Sequence, residues 1–179
     1  AIGNRVLRVA ADKPHHTRVT VPGKVPAAYV AETRVRLQEA SGEAPLVYLY
    51  GLTSEGFLAL TVGSGRLRLF VWRGNDKPSS VVGEAAAPAL TGTWVRVRVA
   101  LERGVAAAKA WPDGTREPGW MIAGLAPELT VNAFAFGAWL SPRKPAAATL
   151  LFDDITLREA VPEDRVAELG DPARPLTLA

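Results

Sequence analysis

The sequence has no cysteine, which removes disulfide frameworks, thiolate zinc sites and cysteine nucleophiles together. It leaves the cell compartment open, because an exported bacterial protein easily lacks disulfides. Histidine is almost absent too, with only the adjacent pair His15 and His16. No apolar run approaches the roughly 18 residues that a membrane-spanning helix needs, so membrane insertion is not expected. Neither sign of charge is in large excess: 21 Lys and Arg face 18 Asp and Glu, for a formal net charge of +3. A nucleic-acid binder would gather its cations on one face, whereas acids here are scattered through the same segments, which argues against DNA or RNA as a partner. What is present is ordinary for a globular chain of 179 residues, with 48% hydrophobic and 22% charged residues. The chain opens AIGNRVLRVA, without Met, as a processed or excised piece would, and that beginning fits export.

Alternation dominates the pattern. YVAETRVRLQ (29–38) sets Val35 and Leu37 opposite Arg34 and Arg36. RLRLFVW (66–72) sets Leu67, Leu69 and Val71 against Arg66, Arg68, Phe70 and Trp72, and TWVRVRVAL (93–101) repeats the scheme around Arg96 and Arg98. A period of two with β-branched residues marks a half-buried strand. Further strands are expected at 6–10, 17–21, 46–52, 56–62, 80–85, 105–111, 129–140 and 148–157, about eleven in all. Pro22-Gly23, Ser41-Gly42, Ser54-Glu55-Gly56, Gly63-Ser64-Gly65 and Arg73-Gly74-Asn75-Asp76 punctuate them with turns. LALTVGSGRLRLFVW reads as a hairpin. Many strands, short connections and no helix in the core predict an antiparallel sandwich or barrel.

The tail differs. From Ala160, AVPEDRVAELGDPARPLTLA carries three prolines and one short helical candidate. The expected division is a β-sandwich over 1–159 and a Pro-rich linker or docking arm over 160–179.

GTWVRVRVALERGVAAAKAWPDGTREPGW (92–120) and LLFDDITL (150–157) carry a resemblance. Trp94, Arg96, Arg98, Lys109, Trp111, Gly114, Glu117, Pro118, Trp120, Phe152, Asp153 and Asp154 follow the pattern of the concanavalin A-like, laminin-G-like jelly-roll modules of bacterial secreted proteins and phage tail or fibre proteins. The resemblance implies an all-β, antiparallel two-sheet jelly-roll sandwich. It also implies a non-catalytic role in adhesion, glycan recognition or architecture, in an extracellular or virion setting. A glycan or cell-surface receptor, and further copies or other structural subunits, are the partners it brings.

Catalytic constellations are missing from the pattern. Glycosidases need two carboxylates projecting to one face, and no strand here offers Glu-x-Asp-x-Glu or a near variant. Asp153 and Asp154 are adjacent, so their side chains are expected on opposite faces. His15 and His16 diverge likewise, which makes zinc improbable, and they read as an exposed turn after Lys13-Pro14. No Gly-x-Ser-x-Gly elbow exists, and Gly63-Ser64-Gly65 precedes no helix that could bind phosphate. No cofactor is expected. A structural calcium held by Asp153 and Asp154, with Asn75, Asp76 and Asp113 as further donors, is the weaker of two readings. The stronger has one Asp capping a loop's amides and the other facing water.

Aromatic residues supply the candidate ligand-binding surface. Trp94, Trp111 and Trp120 read as packing residues that clamp the 112–120 turn and loop onto the sheet. Trp72 lies on the arginine face of its strand, and Trp139 alternates with Ala133, Ala135 and Gly137. A large ring over small neighbours forms a shelf for a sugar, or for another sheet. Tyr48 and Tyr50 share a face of LVYLYGL and complete the set. The expected function is glycan recognition or adhesion; the alternative is a structural assembly module of a phage tail, fibre or capsid-type particle.

Overall fold

The computed structural model describes residues 6–11, 15–42, 45–74, 79–126, 129–141, 147–166 and 169, excluding the side chains of His15 and His16. Asn75, Asp76 and residues 170–179 of the tail lie outside this description. Alternating segments become strands because a pleated chain turns successive side chains to opposite faces. They are β1 (Leu7–Ala11), β2 (His15–Val21), β3 (Tyr29–Ser41), β4 (Leu46–Leu52), β5 (Phe57–Gly63) and β6 (Arg66–Trp72). The remainder are β7 (Ser80–Ala86), β8 (Val95–Glu102), β9 (Val105–Pro112), β10 (Ile122–Leu125), β11 (Ala133–Leu140) and β12 (Ala147–Glu159).

They build two antiparallel six-stranded sheets, ordered β1-β12-β3-β8-β9-β10 and β2-β11-β4-β5-β6-β7. Each sheet turns one face inward. Val35, Val95, Val97, Val99, Leu150 and Phe152 of the first meet Leu49, Leu58, Leu60, Leu67, Leu69, Phe134 and Phe136 of the second. Alternation assigned Val35, Leu67, Leu69, Val95, Val97 and Val99 to one face of their strands, and burial of the whole set is the main favourable contribution to folding. The jelly-roll sandwich expected from the sequence is the fold observed.

Four local expectations change. Twelve strands replace eleven, because β10 pairs with Val105–Ala108 although IAGL carries no period of two. The strand expected from 129 begins at Ala133, with Asn132 N–H donating to the Leu52 carbonyl at 2.7 Å ahead of it. His15 and His16 are not in a turn: their backbone belongs to β2 and pairs with Leu140 and Trp139. Trp94 precedes β8 rather than lying in it.

Two glycines permit close approaches. A Cβ at Gly83 on β7 would lie 2.7 Å from Ile122 of β10, so this position lets the two edge strands meet. At Gly137 a Cβ would lie 1.9 Å from the Thr17 carbonyl oxygen and 2.8 Å from Arg18 Cα. That Cβ would point away from the core, so β2 rides toward the outer side of its sheet there. The sheet curls toward its own outer face at this edge.

Candidate functional site

Both sheets have an outer face, and the two are built differently. The outer face of the first sheet gathers the residues of the sequence signature. Register places Glu32, Arg98 and Lys109 side by side on β3, β8 and β9, with Arg34, Arg96 and Trp111 in the next row. Ion pairs tie the rows together. Arg34 meets Asp153 at 2.6 Å and Asp113 at 3.1 Å, and Arg96 meets Asp113 at 2.7 Å and Glu32 at 2.9 Å. Arg98 bridges Glu32 and Glu117, and Glu117 also holds Lys109.

Burial and charge set the titration of these groups. The Arg96 and Arg34 guanidinia hold Asp113 below the usual carboxylate range, and Arg34 does the same for Asp153. Burial pushes the Lys109 ammonium down, against the pull of Glu117. For Glu117, burial pushes upward, but Lys109 and Arg98 outweigh it and the net direction is down. Cations also cap the rings: Arg34 and Arg36 each lie 5.0 Å from the Trp94 centroid, and Lys109 lies 4.5 Å from that of Trp120.

Asp153 and Asp154 do not point to opposite faces as the sequence led us to expect. A bulge shifts the register between Asp153 and Thr156, and Asp154 takes a positive φ of 51°. Both carboxylates therefore turn toward Arg34, with Asp154 at 3.4 Å from Nε, while Asp153 Oδ1 accepts from the Asp154 N–H at 2.8 Å. Asp113 joins them, so three of the five proposed calcium donors do converge. What stands among them is guanidinium, and no cluster of metal-ligating side chains occurs among the described residues.

Trp111 is buried on the outer side of its sheet, with Arg98 and Lys109 at 5.4 Å and 5.6 Å from its ring centroid, while its neighbour Ala110 joins the core between the sheets. The loop over 113–121 is pinned by Lys109, whose Nζ also donates to the Pro118 carbonyl at 3.2 Å. Gly114 supplies the positive φ, 80°, that the Pro-Asp-Gly turn requires. Trp120 Nε1 donates to the Asp164 carbonyl at 2.9 Å, and Val166 is buried against Val30, Ala100, Val105 and Ala107. The start of the tail is thus packed on its own sheet.

The outer face of the second sheet carries the sequence-predicted ligand residues. Tyr48 and Tyr50 share it and stack at 4.9 Å. Phe57 stacks on Trp72 at 5.0 Å and meets Tyr50 and Phe70 edge-on. Trp139 packs on the same cluster opposite Leu46, and Leu52 packs on it at the other end. The result is one continuous aromatic surface over β11, β4, β5 and β6. The sequence had singled out Trp72, Trp139, Tyr48 and Tyr50; it had not singled out Phe57, Leu46 or Leu52. Hairpin pairing carries that signal, since Phe57 lies opposite Trp72 in register.

The rings are not equally open. Tyr50 is 2% exposed and Tyr48 8%, so they form a floor, whereas Trp72 and Trp139 remain partly accessible. Burial pushes both tyrosine hydroxyls above their ordinary range. By register, Trp72 aligns with Ala133, six residues before Trp139 and three strands away. At strand spacings of about 4.8 Å and about 3.3 Å per residue, the two indoles lie roughly 25 Å apart along the sheet.

A separate cleft of about 560 Å³ lies beside Lys24, Val25, Leu129, Val131, Asn132 and Glu159. It has no aromatic side chain in its lining and places one cation against one acid.

Comparison with known proteins bears on the fold. No protein-family model matches the chain, and neither does any curated protein. Solved structures do match. The carbohydrate-binding module CBM66 from Bacillus subtilis superposes with a TM-score of 0.59 at 11% identity, over 84% of this chain and 86% of that one. Sheep galectin-11 gives 0.54 at 7% identity, over 81% and 98%. Alginate lyase A1-II', of polysaccharide lyase family 7, gives 0.58 at 8% identity, over 88% and 80%. The chain therefore has the concanavalin A-like jelly-roll architecture that the signature residues resembled.

Proposed function

We propose that this chain is a non-catalytic glycan-recognition module of an extracellular or virion protein, and that the aromatic face of the second sheet is its binding surface. The observation that carries the reading is the surface itself. An antiparallel sheet with one face on the core turns polar residues to water on the other. Here that other face is a floor of two tyrosines with Phe57, Phe70 and two indoles partly accessible over it. Apolar surface of this kind marks an interaction site. Pyranose C–H faces stack on indoles, while phenol and guanidinium groups meet sugar hydroxyls.

The similar structures add support by what they are: a carbohydrate-binding module, a galectin and a polysaccharide lyase. Against catalysis stands the acid content of the face. By register its acid is Glu84, and this is paired with Arg68 at 3.0 Å. Two carboxylates facing a scissile bond are not available among the described residues of this surface.

Titration calorimetry of Trp72→Ala and Trp139→Ala against bound glycans tests the assignment. Each variant is expected to lose about tenfold or more in affinity, as removal of a stacking ring costs roughly 1–3 kcal/mol. Unchanged affinity in both would remove the surface from consideration. The alternative, an assembly module of a tail, fibre or capsid-type particle, would bury the same rings against another subunit. Light scattering separates the two. Truncation belongs after Leu169, because Val166 is part of the packed structure. A monomer at all concentrations, with and without the tail, sinks the assembly reading.

A further inference from the structure

The aromatic face also has a charge pattern that neutral sugar recognition does not require. Register places Arg18, Gly137, Tyr48, Thr61, Arg68 and Glu84 in one row across the second sheet. Arg66 lies two residues from Arg68 on the same face, opposite Gly63. Arg68 is engaged, both by Glu84 and by the Phe70 ring at 5.5 Å. Arg18 and Arg66 are exposed, and neither has an ion-pair partner among the described residues. The line from Trp72 to Trp139 runs diagonally over the tyrosine floor, with Arg18 on one side of it and Arg66 on the other.

We propose that this face takes an extended acidic polysaccharide, whose carboxylate or sulfate groups meet Arg18 and Arg66 while its rings rest on Trp72 and Trp139. The proposal rests on the glycan reading given above and names the class of glycan. Two features carry it beyond that reading. The separation of the open indoles spans several sugar rings, which favours a polymer over a terminal mono- or disaccharide. The two uncompensated guanidinia favour negative charge on that polymer, because a guanidinium gains a charge-assisted, bidentate hydrogen bond only from an anion. Single-stranded nucleic acid, the other polyanion that aromatic and basic residues bind, needs open ring faces for successive bases. Tyr48 and Tyr50 are closed floor residues here, and Phe57, though partly accessible, is stacked on Trp72 and set edge-on to Phe70, so the rings offer no row of separate open faces.

The test uses the full chain and two matched pairs of polymers: polygalacturonate against its methyl ester, and dextran sulfate against dextran. Poly(dT) is the non-sugar polyanion. We expect the acidic member of one pair to bind about tenfold or more tightly than its neutral partner at moderate salt. Which pair responds tells carboxylate from sulfate. Arg18→Gln with Arg66→Gln should lower that affinity about tenfold. Arg8→Gln removes one charge from an exposed arginine of the first sheet's outer face, the same change as Arg18→Gln or Arg66→Gln alone, and should leave binding unchanged where each of those lowers it about threefold or more. An equal loss in Arg8→Gln would reduce the effect to net charge and overturn the proposal, as would poly(dT) binding as tightly as the acidic sugars. Equal binding of acidic and neutral partners, abolished by Trp139→Ala, overturns the charge assignment and leaves glycan recognition standing. Binding of none of the four sugar polymers overturns both.

Discussion

Single residues in this molecule are explained by what surrounds them, and Tyr29 is the clearest case. Its side chain is fully buried, and its hydroxyl finds no hydrogen-bond partner among the described residues. The oxygen sits where a Cβ at Gly51 would lie, at 2.6 Å, with Val131 methyls close to the same point. Burial without a partner pushes its pKa far above that of an ordinary tyrosine. An unpaired buried hydroxyl costs about 1–3 kcal/mol, while the ring contributes apolar burial and an edge contact with Phe134 at 5.9 Å. Tyr29→Phe keeps the ring and removes the cost, so the variant should be more stable by about 1 kcal/mol in urea unfolding. A loss of stability would mean that the hydroxyl is bonded after all. Asp154 is the residue that sequence reasoning misplaced. A strict period of two puts neighbours on opposite faces, and only the bulge, which depends on pairing with β3, turns both acids to one side.

At the scale of elements, the loop over 113–121 is held on β9 by Lys109, Glu117 and Trp120. Replacing Glu117 by Gln leaves the buried ammonium without its countercharge and should cost about 1–2 kcal/mol, less than a fully buried pair because Glu117 is partly open to water. Lys109→Met should cost less, since the methionine stem fills the same space without a charge to satisfy. Denaturant melts of the two variants measure the difference, and equal losses would count against the clasp. The acids of the same face set the pH response. Asp113, Asp153 and Asp164 titrate below their unfolded values in the folded state. Their contribution is therefore complete above the ordinary carboxylate range near pH 4 and is lost as pH falls through the lowered folded values. The melting temperature should hold between about pH 7 and pH 5 and decline below about pH 4. Arg34→Gln should flatten the decline; an unaltered acid limb in that variant would refute the assignment. The strands themselves were legible because β-branched alternation and glycine turns are local signals. β10 was not, since IAGL forms a strand only through the neighbours it pairs with. The aromatic face was half legible: parity put Trp72 with Phe70 and Tyr48 with Tyr50, but their union needed the register between strands.

For the whole molecule, connectivity matters more than any single contact. β12 lies between β1 and β3, and β11 lies between β2 and β4. Pairings so remote in sequence make the search for the native arrangement slow, because loop closure must precede the contacts that reward it. Refolding from urea should proceed on the millisecond-to-second scale in stopped-flow fluorescence, and microsecond folding would contradict the topology. The two outer faces are built differently: one is cross-linked by its own charges, the other is aromatic and partly accessible to solvent. The strand order also bears on the chain as it is made. Of these twelve strands, β1 and β2 are translated first, yet their hydrogen-bonding partners, β12 and β11, are translated last. While the sandwich is being made, β1 and β2 therefore stay unpaired until β12 and β11 have emerged, and neither sheet can be completed before then.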